Sequence, residues 1–215
     1  MSCCSPQRYD KAFGRRAARR DARRYRRRGL DGVSRRIADF LRERGVEGAS
    51  VLEIGGGVGA IQIELLRAGA ARTVNLELSP EYEGAAGELL REAGLEEGVE
   101  RKLGDIVRQT DLAGPADAVV MNRVVCCYPD PDALVGAAAE RTRRFLVMSF
   151  PRDRRITRTA LAVANLGARL MRWDFRAWVH SPAAILAAAE RQGLRAAGES
   201  RDTFWQVAAL ERTAS

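Results

Sequence analysis

The chain has 215 residues, of which 46% are hydrophobic, enough for one well-buried domain and too few for two domains of ordinary size. The net charge is +8, and residues 1–30 alone hold eleven basic and two acidic side chains, so the basic excess belongs to the N-terminus. No apolar run is long enough to span a bilayer, and the start of the chain lacks the apolar core of a signal peptide. The four cysteines form two adjacent pairs, not a secreted disulfide framework, so we expect a cytoplasmic protein.

The basic N-terminal segment has the pattern of an amphipathic helix over residues 7–29. Its arginines recur every four residues along one broad face, whereas Ala18, Ala22 and Tyr25 fall on the opposite side. Gly29 is suited to end this helix. The pattern predicts a helix with a charged outer face and a less polar inner face.

We divide the chain into this basic helical arm, residues 1–30, and one domain, residues 31–215. Three roles for the arm stay open, since residues 15–28 carry enough charge to bind nucleic acid, to lie on an anionic membrane surface or to form the solvated face of a lid. The lid is favoured because the arm lacks both a wide apolar face and the interleaved aromatics of nucleic-acid binders.

From residue 32 onward, helical patterns alternate with short apolar runs. The predicted helices are 32–45, 58–68, 80–94, 131–143, 154–173 and 181–192, and the predicted strands are 50–55, 72–78, 98–103, 117–122 and 144–149. The tail 195–211 predicts two further strands that turn near residues 198–202. This order predicts an α/β fold with a mostly parallel seven-stranded sheet, helices on both faces and a final antiparallel pair.

The first predicted strand and helix enclose a glycine-rich turn in the stretch VLEIGGGVGAIQIELL, residues 51–66. Glycines without a Cβ atom allow a ligand to approach the backbone closely. Glu53 adds a negative charge that would repel a pyrophosphate and attract a cationic amine. Gly55, Gly57 and Ala60 also fit a loose dinucleotide fingerprint, so a nicotinamide or flavin dehydrogenase is an alternative.

The spacing E-x-G-x-G-x-G, which starts at Glu53 and ends at Gly59, resembles motif I of the class I S-adenosylmethionine (SAM) methyltransferases. This resemblance implies a Rossmann-like methyltransferase fold with SAM as cofactor. It places Glu53 near the methionine end of SAM, where Gly55, Gly57 and Gly59 make room for the cofactor. It also implies that the N-terminal helix covers SAM, with Tyr9 as a candidate contact.

Acidic residues follow the next two strands, and ligands in such sheets bind beyond the carboxyl ends of the strands. Glu77 ends the second strand, where a carboxylate can accept hydrogen bonds from both ribose hydroxyls, and Leu78 can pack on the adenine ring. The methyltransferase resemblance implies that Asp105, followed by Ile106, accepts a hydrogen bond from the adenine amino group. The resemblance also places Asn122 at the motif IV position, which implies that it lies beside the reactive sulfonium.

Three residues are candidates for a catalytic role. Arg123 is able to hold an acceptor carboxylate by a two-pronged contact, and Tyr128 lies in the same segment. His180, the only histidine, is a candidate base for a hydroxyl or amine acceptor. A carboxylate acceptor needs no base because it is already ionised at neutral pH, so its methylation would depend on alignment and desolvation. No metal ion is required.

The stretches YRRRGLDG and WVHSPAAI look like those of the Mg-protoporphyrin IX methyltransferase-like branch, which includes enzymes that esterify a porphyrin propionate. The segment RVVCCY, residues 123–128, departs from the expected acceptor loop and leaves the substrate open. Arginines over residues 152–176, close to Trp173, Phe175 and Trp178, suit a flat or apolar anionic acceptor. We therefore expect methyl transfer to a small molecule, with an oxygen nucleophile as the first choice.

Other functions remain as alternatives. The arm would guide a nucleic-acid methyltransferase, or a partner-binding protein that holds SAM without catalysis. The cysteine pairs, Cys3-Cys4 and Cys126-Cys127, would serve a methyltransferase directed at thiols or metalloids if the arm folds over the pocket.

Overall fold

A computed structural model describes residues 12–173 and 175–213. Its strands are β1 (Ser50–Ile54), β2 (Arg72–Glu77), β3 (Val99–Leu103), β4 (Ala116–Asn122), β5 (Thr142–Pro151), β6 (Leu194–Arg201) and β7 (Trp205–Arg212). Its α-helices are α1 (Arg15–Arg28), α2 (Gly32–Glu43), α3 (Ala60–Arg67), α4 (Glu83–Ala93), α5 (Pro131–Glu140), α6 (Arg155–Leu170) and α7 (Pro182–Glu190). The predicted order of strands and helices is confirmed.

The seven strands form one sheet in the order β3-β2-β1-β4-β5-β7-β6. The first five strands pair in parallel, whereas β7 runs antiparallel to both β5 and β6. The chain moves outward from β1 to β3 and then returns to place β4 on the other side of β1. Such a reversal opens a crevice beyond the carboxyl ends of β1 and β4, and this is where a ligand of an open α/β sheet binds.

Apolar side chains fill both faces of the central strands. On one face, Ile37 and Leu41 of α2 pack with Val51 and Val120. On the other face, α5 and α7 cover a second cluster that includes Leu52, since neighbouring strand residues point to opposite sides. The buried core therefore fixes the strand ends that surround the crevice. Within the described ranges, no helix combines the length and apolar character needed to cross a membrane.

Helix α1 packs against the domain as its pattern predicts. Ala18 and Ala22 are buried in a cluster with Val58, Ile63 and Tyr82, whereas the arginines of the helix are exposed. Gly29 ends the helix at φ +65°, and its N–H donates to the Tyr25 carbonyl. The helix begins at Arg15, and residues 7–11 of the longer predicted helix lie outside the described part of the chain.

Several element boundaries differ from the predictions by a few residues, and two of these differences have a cause in the sheet. The turn expected over residues 198–202 lies instead between Arg201 and Trp205, where the Asp202 carboxylate accepts N–H groups of Phe204 and Trp205. Gly198 follows a register shift within the β6–β7 pair, where Phe40 of α2 approaches its backbone closely. The helix expected over residues 131–143 ends at Glu140, because pairing with β4 draws the following residues into β5 from Thr142 onward.

Candidate active site

The crevice beyond β1 and β4 contains a cavity of about 280 Å³. Most of the predicted site residues line it, namely Gly55, Gly57, Glu77, Leu78, Asp105, Ile106, Asn122, Arg123 and Tyr128. Glu53, Gly59 and His180 are not among the lining residues, and Tyr9 lies outside the described part of the chain. Helix α1 contributes Asp21, Arg24 and Tyr25 to the wall, and the loop before it contributes Phe13, so the arm covers this cavity.

The glycine turn needs bare backbone for two reasons. Gly55 and Gly57 have φ values of +68° and +55°, which residues with a side chain rarely adopt. A Cβ atom on Gly55 would also lie 2.6 Å from a methyl carbon of Val124. At Gly56 a Cβ atom would lie 2.4 Å from Asn75 Oδ1 and 2.7 Å from Glu53 Oε2. Because these positions lack a Cβ atom, Val124 can pack closely against Gly55, and Asn75 and Glu53 can pack closely against Gly56.

Glu53 lies beneath the glycine turn and not on the cavity wall. Its side chain is 2% exposed, and its Oε2 atom has no hydrogen-bond partner among the described residues. Burial raises its pKa to about 8, with Glu77 adding to this effect and Arg101 opposing it. Burial therefore favours the neutral carboxyl group, and a positive charge on the other side of the turn would favour its ionised form.

A polar network fixes the backbone of the turn. Asn75 Oδ1 accepts the Gly56 N–H at 3.1 Å, and Arg101 donates to the Gly57 carbonyl at 2.9 Å. The Arg101 guanidinium also makes two hydrogen bonds to Glu83 at 2.8 and 3.0 Å. Sequence reasoning missed Asn75 and Arg101. The signal for Asn75 was a polar side chain inside a predicted apolar strand, whereas Arg101 is one of three consecutive charged residues in its strand and nothing local distinguishes it.

The two acids at the strand ends are held rigidly. Glu77 accepts the N–H groups of Gly57, Leu78 and Ser79 at 2.8–3.1 Å, and burial nevertheless raises its pKa. Asp105 accepts the Val107 N–H at 2.9 Å and the Tyr128 hydroxyl at 3.1 Å. Both carboxylates therefore have defined positions on the cavity wall, and Tyr128 serves to orient Asp105.

Arg123 is engaged with the protein itself. Its guanidinium makes a two-pronged ion pair with Asp31 at 2.8 and 3.0 Å, and its carbon atom Cζ lies 5.1 Å from the centre of the Trp205 ring. Its backbone has φ +62°, and its N–H donates to Ser149 Oγ. This fork is the group that we expected to hold an acceptor carboxylate. The geometry assigns its Nη1 and Nη2 groups to Asp31 instead.

Asp31 joins three elements at the mouth of the cavity, and sequence reasoning missed it. It caps α2 by accepting the N–H groups of Val33 and Ser34, and it pairs with both Arg24 of α1 and Arg123. Burial opposes its ionisation, but hydrogen bonds from Ser34 and Arg123 outweigh this effect and lower its pKa to about 2. Asp31 is therefore a fixed anion between the arm and the domain.

Asn122 and His180 are also held by neighbours. The Asn122 amide donates to Ser34 Oγ at 3.0 Å and accepts from Ser149 Oγ at 2.8 Å. His180 Nε2 lies 2.9 Å from the Tyr128 carbonyl oxygen and, since a carbonyl only accepts, Nε2 carries the proton. The geometry gives His180 a structural contact behind the cavity wall, which does not favour the predicted role as a base.

Cys126 and Cys127 lie in a short turn after β4, and Cys127 lines the cavity. Their Sγ atoms are 3.7 Å apart, and both thiols contact the Arg123 carbonyl. Among the described residues, no three side chains of the metal-binding types come together. Cys3 and Cys4 lie outside those residues, so a site that uses both cysteine pairs stays a prediction.

A second concavity, which we call the α6 groove, lies between α6 and residues 175–179 and has a volume of about 810 Å³. Its lining includes the arginines Arg158, Arg169 and Arg176 and the aromatic residues Trp173, Phe175 and Trp178. The groove borders the cavity, because Phe175 packs edge-to-face at 5.1 Å on Phe13 and the Trp178 N–H donates to the Cys126 carbonyl.

This sheet order, with a glycine turn at the crevice and acids fixed in β1 and β2, defines the class I SAM-dependent methyltransferases. A family model described as a methyltransferase domain matches residues 22–196, and the chain belongs to this family. SAM is accordingly its cofactor. The observed site fits SAM, because bare backbone lines the cavity at Gly55 and Gly57 while the unsatisfied Glu53 oxygen lies beneath the turn.

Comparison with solved structures shows the same fold. Magnesium protoporphyrin IX methyltransferase from Synechocystis PCC 6803, solved with bound SAH, is 22% identical over 88% of this chain and 93% of its own, with a TM-score of 0.69. An O-methyltransferase family protein from Burkholderia thailandensis is 21% identical over 84% and 56%, with a TM-score of 0.67. An O-methyltransferase family 2 protein from Planctomyces limnophilus, in complex with apigenin, is 19% identical over 93% and 62%, with a TM-score of 0.68. No curated protein sequence matches the chain.

Proposed function

We propose that this methyltransferase transfers the methyl group of SAM to an oxygen atom of a small, anionic and largely apolar or aromatic molecule. The α6 groove carries this proposal, because it combines three arginines with three aromatic side chains next to the cofactor cavity. Guanidinium groups pair with carboxylates and stack on flat rings, and aromatic walls exclude water from an apolar body.

Five residues of this chain would hold the cofactor. Glu77 would accept the ribose hydroxyls, and Asp105, oriented by Tyr128, would accept the adenine amino group. Gly55 and Gly57 would leave room for the methionine end, and the cationic groups of SAM would favour ionisation of the Glu53 carboxyl beneath them. SAM supplies a methyl group activated on a sulfonium, and the protein contributes position and a dry environment.

The proposal assigns no general base. His180 donates its Nε2 proton to the Tyr128 carbonyl, and Arg123 is paired with Asp31. A carboxylate acceptor is ionised at neutral pH and needs no proton removed, so alignment against the sulfonium is sufficient. Among the described residues, His180 lies outside the cavity lining and Arg123 is engaged by Asp31, which favours a carboxylate over a hydroxyl or amine acceptor.

The test begins with isotope-labelled SAM, the purified enzyme and a cell extract, followed by mass spectrometry of the methylated products. Once the acceptor is known, the double variant Arg169→Gln/Arg176→Gln should raise its KM by about tenfold or more while leaving the Kd for SAM unchanged. The control is Arg191→Gln, an exposed arginine that pairs with Asp132 outside the groove and should leave KM unchanged.

A methylated nucleic acid as the sole product would replace this proposal with the nucleic-acid alternative. An uncharged acceptor, or a KM that is insensitive to both arginines, would contradict the role of the groove. If SAM binds but no extract yields a methylated product, the non-catalytic alternative would be favoured.

A further inference from the structure

Helix α6 exposes an unusual amount of apolar surface. Among the described residues, six of the seven large hydrophobic side chains that are strongly exposed lie in or directly after α6: Ile156, Val163, Leu166, Leu170, Met171 and Trp173. Only Thr157 and Ala168 of this 16-residue helix are buried. Single exposed apolar residues are ordinary on a protein surface, but a concentration of this kind marks an interaction site.

Three of these side chains lie along one side of the helix and form an apolar stripe. Ile156, Val163 and Leu170 follow one another at intervals of seven residues, or about two helical turns, and are 63%, 65% and 76% exposed. The stripe extends for about 21 Å along the helix at 1.5 Å per residue. None of the three lines the α6 groove, so the stripe is a separate face of the same helix.

Positive charge surrounds the stripe. Residues 152–176 contain seven arginines and two acidic residues. Arg154 and Arg155 are exposed at the start of the helix, and Arg169 and Arg172 are exposed at its end. Trp173, at the end of the stripe, is of the type that prefers the boundary between lipid and water.

This combination identifies the partner by its chemistry. A second copy of this chain would oppose arginines with arginines, so self-association through the stripe is disfavoured. A nucleic acid would satisfy the charge but leave the apolar side chains in water. A bilayer that contains anionic lipids satisfies both, because its headgroups pair with arginines and its acyl region takes up apolar side chains.

We propose that α6 is a membrane-docking helix that lies flat on anionic bilayers, with the Ile156–Val163–Leu170 stripe inserted below the headgroups. This inference goes beyond the proposed function and is independent of the acceptor. It also differs from a membrane role for the N-terminal arm, because the apolar stripe belongs to α6.

The test is sedimentation of the full chain with phosphatidylcholine vesicles that either contain or lack phosphatidylglycerol. We expect binding to the anionic vesicles, weakened by salt. The triple variant Ile156→Ser/Val163→Ser/Leu170→Ser should bind the anionic vesicles more weakly, by a factor of about ten or more. Leu103→Ser removes the one strongly exposed large hydrophobic side chain that the described residues have outside this region, and this variant should bind like the wild type. Unchanged SAM affinity in each variant shows that the fold and the cofactor cavity are intact.

Several results would overturn the proposal. These are no binding of the wild type to anionic vesicles, equal binding by the triple variant, or binding lost only in the arm variant Arg16→Gln/Arg19→Gln/Arg23→Gln. A dimer in sedimentation velocity that the triple variant abolishes would assign the stripe to a second copy instead. Each measurement is made without an acceptor, so its failure is distinct from a failure of the proposed reaction.

Discussion

Glu77 accepts three backbone N–H groups at the edge of the cavity, so its position does not depend on a bound ligand. If it also accepts the ribose hydroxyls, Glu77→Ala should weaken SAM binding by about 1–3 kcal/mol, measured by calorimetry. The matched control is Glu81→Ala, because Glu81 pairs with the exposed Arg15 and is not part of the cavity wall. An unchanged affinity in Glu77→Ala would remove this residue from the cofactor site.

Glu53 gives the protein a pH dependence of a definite sign. Its pKa rises from 4.5 to about 8 on folding, so the folded state holds more protons than the unfolded state between these values. Stability therefore falls as the pH rises through this range. Glu53→Gln cannot ionise, and its melting temperature without SAM should decline less than that of the wild type between pH 5 and pH 8.

The same comparison cancels the titration of other groups. Glu77, whose pKa is also raised by burial, is present in both proteins. Melting curves of the wild type and Glu53→Gln that shift in parallel with pH would show that Glu53 titrates normally.

Single residues differ in how far the sequence could predict them. Glu77 and Asp105 were predictable because the strand that precedes each one places it at the cavity. Arg123 and His180 were predicted to act on the acceptor, and the structure gives each of them a contact within the protein that the sequence did not indicate. Their actual partners, Asp31 and the Tyr128 carbonyl, are 92 and 52 residues away in the chain, and no local pattern encodes such contacts.

Among the elements, helix α2 is stabilised by the Asp31 carboxylate, a contribution that its sequence pattern does not indicate. The lowered pKa of about 2 means that ionised Asp31 stabilises the fold above pH 4, by about 2 kcal/mol, and that this contribution is lost as the pH falls from 4 to 2. Asp31→Asn keeps the helix cap but not the charge. We expect it to be about 2 kcal/mol less stable than the wild type at pH 7 and equally stable near pH 2, by urea unfolding.

A control for this charge is Asp132→Asn, since Asp132 pairs with Arg191 at a well-exposed site and should contribute little. If Asp31→Asn were as stable as the wild type at pH 7, the ion pairs to Arg24 and Arg123 would be energetically neutral.

The order of elements was predictable because apolar periodicity distinguishes strands from helices locally. The boundaries were not. Strand β5 begins at Thr142, with exposed Arg143 and Arg144 that resemble the end of a helix, because β4 provides the hydrogen-bonding partner. Likewise, Gly198 suggested a turn but lies within the irregular β6–β7 pair. Both outcomes depend on neighbours in the sheet, which the local sequence does not specify.

For the molecule as a whole, the question is whether the domain needs the N-terminal arm for its stability and for SAM binding. Ala18 and Ala22 are buried against Val58, Ile63 and Tyr82, and Arg26 pairs with Glu92 of α4. Deletion of residues 1–30 would expose this apolar cluster and open one wall of the cavity. We expect a lower melting temperature and weaker SAM binding, measured by differential scanning fluorimetry and calorimetry.

The matched variant Arg16→Gln/Arg19→Gln/Arg23→Gln keeps the helix and removes exposed charge, so it should melt close to the wild type. A truncated protein with wild-type melting temperature and SAM affinity would show that the arm is a detachable appendage.

Because only two side chains of α6 are buried, most of its surface can change without disturbing the sheet or the glycine turn. Natural drift and laboratory evolution should therefore find new acceptor preferences there at little risk to folding. Exchange of residues 155–170 with those of a related enzyme is accordingly a practical way to change the acceptor while SAM binding is kept.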